Sequence, residues 1–275
     1  MDNISEQVKA LIPEPIELIL RRMRRYSHGF QEKRFKPYII RKNVEGVVFD
    51  YWIGDITGRQ WYDINDPDWI EMKLEKRFIR DHLIQPGDVI LDCGAHHGRS
   101  TIVLSNWVGD EGKIVAFEPH PKNAEILQKN IELNNLRNII LVQKAIGQKN
   151  GRIQITGESN SLVITKGTGV EVEMTSLDEY SGLNPNFLRI DVEGFEVEVL
   201  KGAKNILATR PKLAIEIHTR TLKHFDSSVD DLFNLIDVEQ YELWVQWQDG
   251  NEPRVFDLKE PIKIGRVHLF ALPKH

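Results

Sequence analysis

Several short apolar runs end in acidic residues and glycines, the pattern of strands that deliver charged side chains to a ligand crevice. The first, residues 89–100, reads V-I-L-D-C-G-A-H-H-G-R-S. A buried strand would carry Asp92 to its carboxyl end. Gly94 and Gly98 would then let the backbone turn tightly and approach a ligand lying across the next helix N-terminus, with Ala95 and His96 between them. The dinucleotide fingerprint G-x-G-x-x-G is not met, because His96 stands where its middle glycine belongs. An anionic Asp92 opposes a pyrophosphate and suits an ammonium group, such as that on the methionine part of S-adenosylmethionine. A plain strand-to-helix turn would look similar.

The second run, 113–118, ends at Glu118 in A-F-E-P-H-P, near the roughly 20-residue spacing at which a carboxylate grips ribose hydroxyls. His120 and Ala145 are candidates to flank an adenine. A third, in F-L-R-I-D-V-E-G-F-E, places Asp191 at a strand end with Glu193 and Gly194 in the turn. The run 212–218 alternates Glu216 and His218 with apolar residues, so period-two geometry sets both on one face. These groups suit removal of a hydroxyl proton. His218 titrates near physiological pH, and Asp191 ends the strand that reaches the crevice. We expect no metal at the site, although Asp191, Glu193, Glu216 and His218 could supply ligands for Mg²⁺ or Mn²⁺.

The elements that must position these residues are visible as periodicity. Apolar runs at 89–93, 113–118, 138–143, 187–191, 212–218, 241–247 and 267–272 read as seven strands. Helical patterns lie between them: Ile102, Val103 and Trp107 in 99–108, and Ile126, Leu127, Ile131 and Leu133 after Pro121. That alternation is the form of β-α-β crossovers and a mainly parallel sheet. Residues 152–155 and 170–174 read as two inserted antiparallel strands. Before residue 85 the texture differs. Ile16, Ile19, Leu20 and Met23 form one helical stripe after Pro13 and Pro15, with Arg21, Arg22, Arg24 and Arg25 at its C-terminal end. Residues 38–54 look like a hairpin turning at 43–46, and 78–83 like a helix. Trp52, Trp61, Tyr62 and Trp69 could stack on a flat acceptor or a sugar. We therefore divide the chain into an N-terminal α+β extension, 1–84, and a ligand-binding domain, 85–275.

Composition narrows the class. The 275 residues are 41% apolar and 28% charged, enough to bury a full core, and the formal charge of −5 lacks the basic footprint of a nucleic-acid binder. The single cysteine, Cys93, excludes an intramolecular disulfide and fits a reducing cytoplasm. No apolar run approaches the ~18 residues of a membrane span, and Asp2 and Glu6 sit where a signal peptide would be basic.

Taken in order, D-C-G-A-H-H-G, F-E-P-H-P-K-N, N-I-E-L-N-N, A-I-G-Q-K-N-G, S-L-D-E-Y, L-R-I-D-V-E-G-F-E-V-E-V-L-K-G-A and I-E-I-H resemble the FkbM family of S-adenosylmethionine-dependent methyltransferases over residues 75–241. The resemblance implies a class I methyltransferase fold: a Rossmann-like α/β domain with seven strands, the last antiparallel, and helices on both faces. It also implies S-adenosylmethionine as cofactor and, usually, O-methylation. Asp92, Gly94, Ala95 and Gly98 would then form the methionine-side loop, Glu118 would hold the ribose, and Asp191, Glu193 and Gly194 would lie by the reaction centre. The family usually has Asn where this chain has His96. The acceptor expected is a hydroxyl on a small molecule or glycan, and a homodimer is possible. Rival classes are an NAD-dependent oxidoreductase and a non-catalytic adenosyl-binding module.

Overall fold

The computed structural model describes residues 32, 34–64, 70–164, 169–247, 251–262 and 264–274. The expected helix with Arg21 to Arg25, and Trp69, lie outside them.

A hairpin comes first: β1 (Tyr38–Val44) and β2 (Val47–Ile53) pair antiparallel. Its two-residue turn, Glu45 and Gly46, has positive φ at both positions, the twist that suits a tight hairpin, and Asn43 Oδ1 accepts from the Gly46 amide at 3.1 Å. A short helix, α1 (Ile56–Arg59), and α2 (Ile70–Phe78) follow. Where a helix was expected over 78–83, α2 ends at Phe78 and the chain continues as a wider π-helical turn, Ile79–Leu83.

The main sheet uses β3 (Val89–Cys93), β4 (Lys113–Phe117), β5 (Ile139–Val142), β9 (Phe187–Ile190), β10 (Lys212–His218), β11 (Tyr241–Trp247), β12 (Arg254–Val255) and β13 (Arg266–Pro273). In space they run β12-β11-β13-β10-β9-β3-β4-β5. The strands from β10 to β5 are mutually parallel, and β13 lies antiparallel between β10 and β11. Seven of these are the expected strands, the last antiparallel; the eighth, β12, is a two-residue edge too short to leave a periodic signal. The small sheet anticipated between β5 and β9 is also present. In it β7 (Gly151–Ile155) pairs antiparallel with β8 (Val170–Thr175), and β6 (Ala145–Ile146) joins β8 in parallel.

Strand alternation sorts the core into two faces. Leu91, Val115, Leu188 and Ile215 pack with α5 (Glu196–Lys201), α6 (Lys204–Ala208) and α7 (Val229–Leu235). Ile90, Ile114, Phe187 and Ala214 pack with Phe78, Ile79 and Leu83, and with α3 (Arg99–Val108) and α4 (Pro121–Leu133). The hairpin docks on α3 and α4 through Phe49, Tyr51, Ile53, Ile102 and Val103. Two asparagines, Asn130 on α4 and Asn134 at its C-terminal cap, complete the join as a strand would. Asn130 Oδ1 accepts from the Trp52 amide at 2.7 Å, while Asn134 accepts from the Asp50 amide and donates to its carbonyl, at 3.0 and 2.7 Å.

The chain leaves β3 toward β4 and β5, then returns to place β9 on β3's other side. Such a reversal opens a crevice at the carboxyl ends of the strands, where open α/β sheets bind ligands.

Candidate active site

A cavity of about 400 Å³ occupies this crevice. It is within the range of small-molecule sites. Gly94, Ala95, His96, Phe117, Glu118 and Ala145 line it, as do Asp191, Glu193, Glu216 and His268. Trp61 and Tyr62, from the π-helical turn Gln60–Ile64, and Glu75 from α2 border it as well.

The glycine loop is built for close approach. Gly94 has φ +85°, and a Cβ there would stand 1.8 Å from the Asp191 carbonyl oxygen; at Gly98, φ +88°, it would meet Leu127 Cδ1 at 2.2 Å. The loop therefore runs against the β9 turn and α4 with no room for side chains. Amides of Gly94 and Ala95 donate to the Phe117 carbonyl, both at 3.0 Å, tying it to β4.

Asp92 does not line the cavity. It is fully buried, and its carboxylate accepts from Thr101 Oγ1 at 2.6 Å and from Arg189 at 2.9 Å, its in-register neighbour on β9. The ligand contact expected of Asp92 from sequence is not seen in this geometry: its carboxylate faces Thr101 on α3 and Arg189, away from the cavity. The second guanidinium nitrogen of Arg189 reaches Asp191 at 3.1 Å.

Glu118 does line the cavity. Its carboxylate accepts from the backbone amides of His96 and His120 at 2.8 and 2.9 Å and from Asn123 Nδ2 at 3.3 Å. Burial pushes its pKa up to about 7 against those bonds. His120 contributes its amide here, and its ring does not border the cavity, so the adenine-flanking role expected for it is not supported; Ala145 does border it. Burial, with His97 and His120 nearby, keeps His96 neutral. With Asn123 donating to Glu118, Ser159 Oγ donates to Asn123 Oδ1 at 2.8 Å. His96 Nε2 then donates to Ser159 at 3.0 Å, and Nδ1 accepts from Tyr62 at 2.7 Å. His96 also stacks on Trp61, ring centroids 5.2 Å apart. The residue that departs from the resembled pattern thus ties the N-terminal segment to the ligand loop.

Around Asp191 carboxylates dominate. Glu216 pairs with Arg266 at 3.2 Å and faces His268 in register. Although burial would raise it, His268, His218 and Arg266 hold its pKa below the usual value. Burial and Glu216 raise Asp191 despite Arg189, and burial lifts Glu193 to about 7. His218 is as sequence alternation placed it, on the face of Glu216, but the proton-acceptor role does not follow. It is buried, does not border the cavity, and bonds Glu196 through Nδ1 at 2.8 Å. Burial would lower its pKa, yet Glu196, Glu193 and Glu216 raise it to about 10, so without a further ligand it carries its proton at neutral pH.

Arg189, Glu75 and Ser159 were not picked out from the sequence. Arg189 was detectable, as a cation between Leu188 and Ile190 in a buried strand; Glu75 lies in the charged run E-M-K-L-E-K-R, where nothing marks one residue as buried. Burial alone would raise Glu75, but Lys76, His268 and Arg189 hold it down at about 2.

A Rossmann-like sheet of this order, with a glycine loop after its first crossover strand and a buried acid ending the second, defines an S-adenosylmethionine-dependent methyltransferase of class I. The family model described as a methyltransferase FkbM domain matches residues 92–245. The chain belongs to the FkbM methyltransferase family. It is 28% identical over 190 residues to the hexuronic acid methyltransferase AglP of Haloferax volcanii, covering 66% of this chain and 71% of that one. A tRNA adenine methyltransferase of Methanocaldococcus jannaschii is 26% identical over 124 residues, covering 36% and 44%. Among solved structures, a methyltransferase FkbM from Methylobacillus flagellatus aligns over 69% of this chain at 19% identity and TM-score 0.47, and the match spans 45% of that protein. A fibrillarin of Aeropyrum pernix with bound S-adenosylmethionine aligns over 74% of this chain and 76% of its own, at 16% identity and TM-score 0.45.

The residues present fit that cofactor: Gly94, Ala95 and His96 of the glycine loop border the cavity, and Glu118 presents a buried, backbone-anchored carboxylate toward it. No helix of the described residues is long and apolar enough to cross a membrane.

Proposed function

We propose that the protein methylates a hydroxyl of a sugar, a glycolipid or a secondary metabolite, with a sugar favoured. The observation that carries the reading is one cavity lined both by Glu118 with Gly94, Ala95 and His96 and by the carboxylates of Asp191, Glu193 and Glu216. The likeness to a hexuronic acid methyltransferase supports a sugar acceptor.

When bound, S-adenosylmethionine supplies a methyl group on a positively charged sulfur. In this reading Gly94 to Gly98 hold its methionine part, Glu118 accepts from ribose hydroxyls, and Ala145 borders the adenine. Alignment is the larger share of catalysis in such a displacement, and the rigid contacts of Gly94 to Asp191 and of Arg189 to Asp92 serve it. Asp191, which borders the cavity where His218 does not, takes the hydroxyl proton, with Glu193 beside it. Trp61 and Tyr62 form the acceptor wall, so the extension before residue 85 completes the site.

Incubation with methyl-labelled S-adenosylmethionine and a panel of hexuronate-bearing glycans, neutral glycans, lipids and RNA tests this. Label recovered as a methyl ether on a glycan supports it; label on a base nitrogen of RNA or on an amine overturns it.

A further inference from the structure

We propose that Asp191, Glu193 and His218 form a site for a divalent cation of the Mn²⁺ or Mg²⁺ class at the acceptor end of the cavity. Its catalytic role, though not its existence, rests on the methyl-transfer reading above.

One donor atom from each of the three side chains converges, all lying within 4.8 Å of one another. Nε2 of His218 is buried and stands 3.2 Å from Glu193 Oε2, yet it has no hydrogen bond. Two polar atoms so near without bonding aim at a shared point and not at each other. Neighbouring donors about 2.1 Å from an octahedral ion are about 3.0 Å apart, close to the 3.2 Å between His218 Nε2 and Glu193 Oε2.

The surroundings orient the ligands. His218 Nδ1 lies 2.8 Å from Glu196 Oε1, which also accepts from the Gly194 amide at 2.8 Å. With Nδ1–H committed to Glu196, the Nε2 lone pair faces the ion, the carboxylate–histidine–metal arrangement that fixes a ligand's tautomer. Glu193 has φ +56° and Gly194 φ +110°. Left-handed backbone at a non-glycine residue costs energy and persists where surrounding structure holds it; here it turns Glu193 back toward β10. Charge agrees: the carboxylates Asp191, Glu193, Glu196 and Glu216 outnumber the guanidinium groups paired with them, Arg189 and Arg266. A dication fills the deficit without a second proton on His218. Two carboxylates and one imidazole, with Asp191 and Glu193 bordering the cavity, favour a hard ion that keeps positions open. Those positions would bind adjacent oxygens of the acceptor and polarise the hydroxyl; with the ion bound, Asp191 is a ligand, and Glu216 on the cavity wall takes the proton that Asp191 receives in the ion-free site.

The test is Mn²⁺ titration of the full chain, read by electron paramagnetic resonance, with S-adenosylhomocysteine affinity measured calorimetrically on the same samples. One ion per chain is expected, with nitrogen modulation from an imidazole. E193Q, which alters a half-buried side chain, should weaken binding at least tenfold, and E196Q about 10- to 100-fold. H218A should remove the nitrogen signal. E171Q, exposed on β8, should bind as the wild type does. No bound ion at 1 mM Mn²⁺, or an E193Q titration that overlays the wild type, overturns the proposal. If S-adenosylhomocysteine still binds in that case, only the cation site falls; if Mn²⁺ binds and the nucleoside does not, the methyl-transfer reading falls instead.

Discussion

Gly94→Ala isolates the demand that the ligand loop makes on the backbone. Gly87 supplies the reference: its φ is +88°, against +85° at Gly94, but a Cβ at Gly87 would meet nothing within 4 Å. Substitution at Gly87 therefore costs only the left-handed conformation, about 1–2 kcal/mol. At Gly94 the same cost applies, and the new carbon would fall 1.8 Å from a backbone oxygen of residue 191. A carbonyl cannot swing aside as a flexible side-chain tip can, so the β9 turn must move by more than an ångström. Overpacking of this kind adds about 1–3 kcal/mol, giving roughly 2–5 kcal/mol in total. Because the displaced carbonyl belongs to Asp191, the damage reaches the acceptor end of the cavity as well. Urea denaturation of both variants, with S-adenosylhomocysteine affinity measured in parallel, checks this. G94A should be at least about 1 kcal/mol less stable than G87A and should lose binding at least tenfold, a loss of about 1.4 kcal/mol or more. If the two variants are equally stable and G94A binds normally, the close approach between loop and turn does not exist.

Four further outcomes follow from the same contacts. Glu118 should make cofactor affinity fall as pH drops below about 7, by up to about tenfold per unit, because a protonated carboxyl loses acceptor capacity; E118Q should bind more weakly at pH 8 and show a flatter profile by calorimetry. The folded form of Glu118 also holds its proton above the usual 4.5, so this group opposes folding increasingly as pH rises from about 4.5 to 7. The stability of E118Q relative to the wild type should therefore increase over that interval in denaturation measurements. Removing Arg189, as in R189M, leaves buried Asp92 and half-buried Asp191 without their cation and should cost about 3–5 kcal/mol in urea titrations; D92N/R189M should recover part of that loss. N130A strips the bond that caps the Trp52 amide and should cost about 1–3 kcal/mol, with faster hydrogen exchange confined to the hairpin.

Much of this architecture was legible as pattern. Strands buried on both faces, such as 89–93 and 187–190, show as short apolar runs, and Pro121 marks the start of α4 where its missing amide is harmless. The placement of Glu118 and Gly94 at the cavity was legible because strand-end acids and positive-φ glycines leave local signals. The placement of Asp92 and His218 away from it was not, for a shared reason. Sequence alternation gives the face on which a side chain lies, but not which neighbour reaches it first. Arg189, one strand away, claims Asp92, and Glu196, from the following helix, claims His218. Both contacts are set by the register between β3 and β9 and by the β9 turn, which no local period encodes. His96 shows the same limit, since its partners Tyr62 and Ser159 come from segments far away in the chain.

A crystal structure of the full chain with S-adenosylhomocysteine and a hexuronate acceptor bears most directly on the central claim. The account predicts ribose hydroxyls on the Glu118 carboxylate, the thioether in the cavity beside Gly94 and the Asp191 side chain, and an acceptor hydroxyl facing the sulfur from the side of Trp61. A nucleoside bound elsewhere, or a ribose held by other groups while Glu118 keeps only its backbone partners, would contradict it.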